Sequence, residues 1–152
     1  MKRLILTLAI ILCFGAQAFA EGELTVFMDG KALEAEISPV IINDRAMLPM
    51  RAVFESIGAQ VDWLEEEQII IAAKEGLFIS FKIGSDIMIM QDMTDGAERQ
   101  RVILDSPPVI IGSSAVVPVR AVAEAFGAEV IWDGENNAVR IETNSLIREE
   151  KE

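Results

Sequence analysis

Residues 39–63 are written a second time at 108–132, without a gap and at a constant offset of 69. Over 38–72 against 107–141, 15 of 35 paired positions are identical. They include Pro49/Pro118, Arg51/Arg120, Glu55/Glu124, Gly58-Ala59/Gly127-Ala128, Val61/Val130 and Trp63/Trp132. A gapless internal repeat restricts the fold more than composition does, because both copies must form the same local structure and bury the same face.

Each copy reads as strand, turn, strand, short helix, strand, turn, strand. Val40-Ile41-Ile42 and Val109-Ile110-Ile111 are short β-branched runs of the buried-strand type. Asn43-Asp44-Arg45 and Gly112-Ser113-Ser114 follow as hairpin turns of about three residues. Ala46-Met47-Leu48 and Ala115-Val116-Val117 then run back to Pro49 and Pro118. Each proline is expected in the first helical turn, where its missing N–H costs nothing. Met50, Val53, Phe54 and Ile57 are spaced i, i+3, i+4, i+7, and Val119, Val122, Ala123 and Phe126 repeat that stripe. Gly58 and Gly127 stand where a left-handed cap ends a helix. A helix of two to three turns is too short to persist in water and has to be held by a sheet. Val61 and Trp63 with Ile69 and Ile71, and Val130 and Trp132 with Val139 and Ile141, form the closing hairpins, with a turn signal at Asp133-Gly134.

The pattern P-x-x-x-turn-x-x-x-P-x-R-x-x-x-E-x-x-G-A-x-V-x-W resembles the copper amine oxidase N-terminal-like family, also called stalk domains. Both copies carry it, and with their preceding strands they cover nearly all of the chain after its leader. Trp63 is followed by Leu64 instead of the usual aspartate, and Ser113-Ser114 replaces the customary Gly-Arg turn. The resemblance implies an α+β module with twisted antiparallel sheets packed on two short helices, built from two tandem strand-strand-helix-strand-strand repeats. It implies an exported bacterial protein of the kind common in Firmicutes, and no catalytic residues.

Residues 1–20 read as a secretory signal: Lys2-Arg3, an apolar run from Leu4 to Phe14, and Ala18-Phe19-Ala20 as an A-x-A cleavage site. About 11 apolar residues are short for a membrane span, so no integral membrane segment is expected after cleavage. Cys13 follows Leu12, where a lipid-attachment site needs a small residue. Residues 21–143 are read as one domain with repeats at about 38–72 and 107–141, and residues 144–152 as a polar tail. Leu24 to Met28, Asp29-Gly30 and Ala32 to Ile37 read as an opening hairpin with a type I′ turn. Between the copies, Leu77 to Ile83 alternates as a half-buried strand. Ile87 to Met90 and Arg99 to Leu104 then form a second hairpin, with a longer tip at 91–98.

The chain has no histidine and no tyrosine. Copper amine oxidase chemistry needs a tyrosine-derived quinone and histidine-held copper, so that activity is excluded. Removal of the leader takes the only cysteine with it, and the usual zinc sites and nucleophile–base pairs go too. A carboxylate-only hydrolase stays formally open, but no acidic pair is recognisable. The leader also takes two basic residues, leaving 11 against 25 acidic ones and a net charge of −14. That charge disfavours nucleic acid and anionic polymers.

Arg51 and Glu55, like Arg120 and Glu124, are four apart on one helical face. We read their recurrence as architecture, with the arginine tied to carbonyls or to the tryptophan edge; the alternative is a recurring ligand clamp. Trp63 and Trp132 are read as core anchors rather than sugar platforms, and Met88 and Met90 as core filling rather than copper ligands with Met93. Asp92, Asp95 and Glu98 around Gly96 are the weak candidate for Ca²⁺, against ordinary turn chemistry. Glu65-Glu66-Glu67 reads as a solvated turn. No cofactor is expected. The functional expectation is a non-catalytic exported structural or binding module of the cell envelope, with its partner and oligomeric state open. It is either released or held non-covalently at the surface. The alternative is a secreted acidic protein binding Ca²⁺ or a cationic peptide.

Overall fold

The computed structural model describes residues 22–94 and 98–143. The expected leader, the polar tail and Asp95 of the acidic tip lie outside the described residues. The first half carries β1 (Thr25–Met28), β2 (Lys31–Ala32), β3 (Val40–Ile42), β4 (Arg45–Pro49), α1 (Met50–Ser56), β5 (Gln60–Leu64) and β6 (Ile69–Lys74). There follow β7 (Leu77–Lys82), β8 (Ile87–Asp92), β9 (Gln100–Ile103), β10 (Val109–Ile111) and β11 (Ser114–Pro118). Last come α2 (Val119–Ala125), β12 (Glu129–Asp133) and β13 (Ala138–Glu142). The result is a sheet-rich α+β fold with sheets ordered β12-β13-β1-β2, β10-β11-β4-β3 and β5-β6-β7-β8-β9.

At the centre, β4 and β11 run antiparallel and pair Leu48 with Val117, Met47 with Pro118, and Pro49 with Val116. Shifted by 69, these pairings map onto themselves, so the two segments meet across a local two-fold axis at the Leu48–Val117 pair. The prolines close this short ladder because they have no N–H to extend it. They stand as the N-caps of α1 and α2, one residue earlier than the first helical turn expected of them. The strand keeps the proline to its end, and the helix begins only with Met50 or Val119.

Both helices close identically. The Gly58 amide donates to Glu55 O at 3.1 Å and the Ala59 amide to Phe54 O at 2.8 Å; Gly127 and Ala128 bond Glu124 O and Ala123 O, each at 3.0 Å. This double bond is a Schellman cap, which needs the left-handed φ of +76° and +79° that the glycines adopt. The alanines that follow are buried against the helix, which is why Gly-Ala recurs as a pair.

Several turns differ from their expected form. The first-copy hairpin pairs Ile42 with Arg45 and the second Ile111 with Ser114, so the turns hold two residues rather than three. Asn43 and Asp44 both have positive φ, whereas in the second copy only Gly112 does. The opening hairpin has the predicted Asp29-Gly30 turn, but its return arm is the two-residue β2 and not a strand to Ile37. The Asp29 carboxylate instead accepts from the Thr143 amide and hydroxyl, tying the opening turn to the end of β13. The β12–β13 connection holds four residues, with Asn137 rather than Gly134 in the left-handed region.

The sheets are antiparallel with one exception: β1 lies parallel to β13. Each leading hairpin thereby joins the closing hairpin of the other half, β1–β2 on β13 directly and β8–β9 on β6 through β7. Both helical stripes, the central strands and the outer sheets bury into one continuous hydrophobic cluster. Among the described residues its members run from Leu24 to Ile141. No helix among the described residues is long and apolar enough to cross a membrane.

Candidate functional site

Because Met50, Val53 and Phe54 face inward, residues 51 and 55 must face out, and the second helix obeys the same geometry. Arg51 and Glu55, and Arg120 and Glu124, therefore stand on exposed helical ridges. Arg120 Nη1 lies 3.8 Å from Glu124 Oε1, both side chains about half exposed. Such a pair contributes a few tenths of a kcal/mol. The described ion pairs include no Arg51–Glu55 contact, and neither arginine is bonded to a backbone carbonyl there.

These ridges form walls of two open grooves. The larger, about 950 Å³, lies between α2, the β3–β4 turn of the other half, and β8–β9. The smaller, about 640 Å³, lies between α1, the β10–β11 turn and residues 34–36. Fourteen of the sixteen residues lining the smaller groove are residues of the larger moved by 69 positions. The Pro, Arg, Glu and Trp of each motif thus gather at one groove, while Gly58 and Gly127 stay with their helix caps.

The tryptophans divide. Trp63 is half-buried, packs on the core and donates its indole N–H to Glu65. Trp132 is 49% exposed, so the core-anchor expectation fails for it. The cause is local: the position of Glu65 is Gly134 in the second half, and the Trp132 indole edge lies against that glycine, 3.2 Å from where a Cβ would stand. Ile41 and Ile103 are also more than half exposed on the walls of the larger groove.

Charge separates the grooves further. In the larger, Arg45 Nη2 bonds Asp105 Oδ2 at 2.6 Å and Arg120 faces Glu124, leaving a mostly apolar lining. In the smaller, Glu34, Glu36, Glu55 and Glu65 face a single arginine, Arg51.

Asp92 is engaged in turn chemistry: its Oδ1 accepts the Thr94 amide at 2.8 Å and the Thr94 hydroxyl at 2.6 Å. Glu98 is exposed beyond the tip. Among the described residues no group of three or more carboxylate, cysteine or histidine side chains is placed to hold a metal ion. Met88 is buried in the core, Met90 is half-buried on the larger groove's wall, and Met93 is 60% exposed.

Asp133, next to Trp132, accepts from Asn136 Nδ2 at 2.9 Å and Arg140 Nη2 at 2.7 Å. The Asn136 side chain first, and then Arg140, hold its carboxyl below the usual range. A depressed folded-state pKa adds stability above the unfolded value near 3.9, and that stability is lost as pH falls through the folded one. Asp133→Asn is therefore expected to melt below the wild type at pH 7, with the gap narrowing in melts taken progressively below the unfolded-state value near 3.9.

The described residues thus form a sheet-rich α+β module whose repeated motif residues line two open grooves. The chain matches the copper amine oxidase N-terminal domain family over residues 27–141 and belongs to that family, whose domain is a non-catalytic module. A comparison with curated proteins returns no match.

Proposed function

We propose that the chain is a non-catalytic, exported binding module of the bacterial cell envelope, made of two copies of one unit and holding its partner in the two grooves. The observation that carries this reading is the position-by-position correspondence of the grooves. A motif serving only the interior has no reason to bring Trp, Arg and Glu to an open surface twice. Export rests on the leader-like residues 1–20, and absence of catalysis on a chain without histidine or tyrosine.

The test is retention of the chain from residue 21 onward on washed envelope fractions. Wild type is expected to be retained. Trp132→Ala with Arg120→Ala, or Trp63→Ala with Arg51→Ala, should weaken retention roughly tenfold, as removal of an aromatic–arginine hot spot does. No retention, or retention indifferent to all four substitutions, defeats the proposal.

The acidic rim of the smaller groove favours a second reading, a cationic peptide laid over Trp63. Calorimetry separates the ligands. Heat with a lysine-rich peptide that Glu34→Gln and Glu36→Gln remove supports the peptide. Micromolar heat with Ca²⁺ that Asp92→Ala and Asp95→Ala remove supports the cation.

A further inference from the structure

Among the described residues the five-stranded sheet ends in two edges with no further strand paired to them, β5 and β9. Its four antiparallel pairings reverse direction an even number of times, so β5 and β9 run the same way. The rows across the sheet are unstaggered. Asp62 pairs with Ile71, Ile71 with Ser80, Ser80 with Ile89 and Ile89 with Arg101. One outer-face row therefore has a carboxylate at one edge and a guanidinium at the other, both exposed. The next row, Trp63-Ile70-Phe81-Met88-Val102, lies on the inner face. One residue further along each edge come Leu64, 40% exposed, and Ile103, 66% exposed.

We propose that the partner of this sheet is a second copy of the chain, added head to tail with β9 of one molecule parallel to β5 of the next. A copy displaced along its own sheet sets Arg101 beside Asp62, Val102 beside Trp63 and Ile103 beside Leu64, all in one register. Opposite charges meet on the outer face, and the two most exposed apolar side chains of these edges cover each other. Charged residues on an edge commonly prevent pairing between copies, but here the two edges carry opposite signs in the same row, so each exposed charge gains a partner. The contact is heterologous, so it leaves a free β5 and a free β9 after every addition and grows without closing. Each copy would advance about 24 Å, five strand spacings, and turn by roughly 100–125° with the sheet twist.

Sedimentation velocity on the chain from residue 21 onward, from micromolar to millimolar at a fixed salt of about 0.15 M, tests this. Wild type is expected to grow past the dimer with concentration. Arg101→Glu and Asp62→Arg should each place like charges opposite one another and weaken association by about tenfold. Mixing the two variants should restore growth, because each then presents the edge the other lacks, and the double exchange in one chain should restore it too. Far-UV circular dichroism unchanged from wild type excludes misfolding of the variants. A monomer at every concentration, a dimer that grows no further, or charge variants that assemble like wild type overturns the proposal.

Discussion

Replacing Phe54 by alanine is expected to lower stability by about 3–5 kcal/mol and the melting temperature by roughly 10–15 °C. Phe54 is fully buried. Its ring stacks on Phe81 of β7 at 6.2 Å and meets Phe126, just past α2, edge-on at 6.2 Å. It therefore joins the first helix to both the long sheet and the second half. The repeat shows why the space exists. Phe54 of α1 and Ile57 just past it correspond to Ala123 of α2 and Phe126 just past it, so the large ring has moved by three residues between the halves. Ala123→Phe alone overpacks the interface, at about 1–3 kcal/mol. The double exchange, Phe54→Ala with Ala123→Phe, should cost less than the sum of the two, since both changes act on one space. Urea unfolding of the four proteins measures this coupling. Strict additivity, or a shift of only a degree or two for Phe54→Ala, would mean that the halves do not share an interior at this point.

The helices were the most legible part of the chain because their start, apolar stripe and stop are all local signals, although packing on the sheets is what holds them. The stripe Met50, Val53, Phe54, Ile57 and the Gly58-Ala59 stop lie within ten residues, and the structure buries all five apolar members. The hairpins were legible for the same reason, but not their turn length, which reads as about three residues and is two; whether Asn43-Asp44 or Gly112 supplies the left-handed backbone changes the turn without changing the strands it joins. The parallel pairing of β1 with β13 was not legible. Its partners, such as Val26 and Val139, are more than a hundred residues apart, and nothing in either strand specifies the direction of the other.

The grooves illustrate the same limit. Pro, Arg, Glu and Trp are visible as a repeated motif, but each groove is completed by the turn and strands of the other half. Exposure of Trp132 depends on Gly134, a residue that reads as turn punctuation in one dimension and as a missing wall in three. A tryptophan beside valine on an alternating strand points inward by default; here a bare neighbour and the open side of α2 leave the ring in solvent.

Gly76→Ala should be the most costly single methyl that can be added to a turn of this chain. Glu75 and Gly76 join β6 to β7 with φ of +51° and +85°. A side chain at 76 in that region costs about 1–2 kcal/mol by itself. A Cβ there would also stand 2.2 Å from Thr94 Cγ2. Thr94 has little freedom to turn away, because its hydroxyl and amide both donate to Asp92 Oδ1 and the preceding amide, Met93 N–H, donates to Gly76 O at 2.9 Å. The clash adds about 1–3 kcal/mol, for a total of roughly 2–4 kcal/mol. Thr94→Ser removes the offending methyl and keeps the hydroxyl, so in that background Gly76→Ala should cost only the backbone part, about 1–2 kcal/mol. Chemical denaturation of the cycle gives the coupling, and hydrogen exchange at the Met93 amide reports whether the tip has detached. An alanine cost that is the same beside threonine and serine would show that the turn does not bear on Thr94, and that the strain at 76 is of the backbone alone.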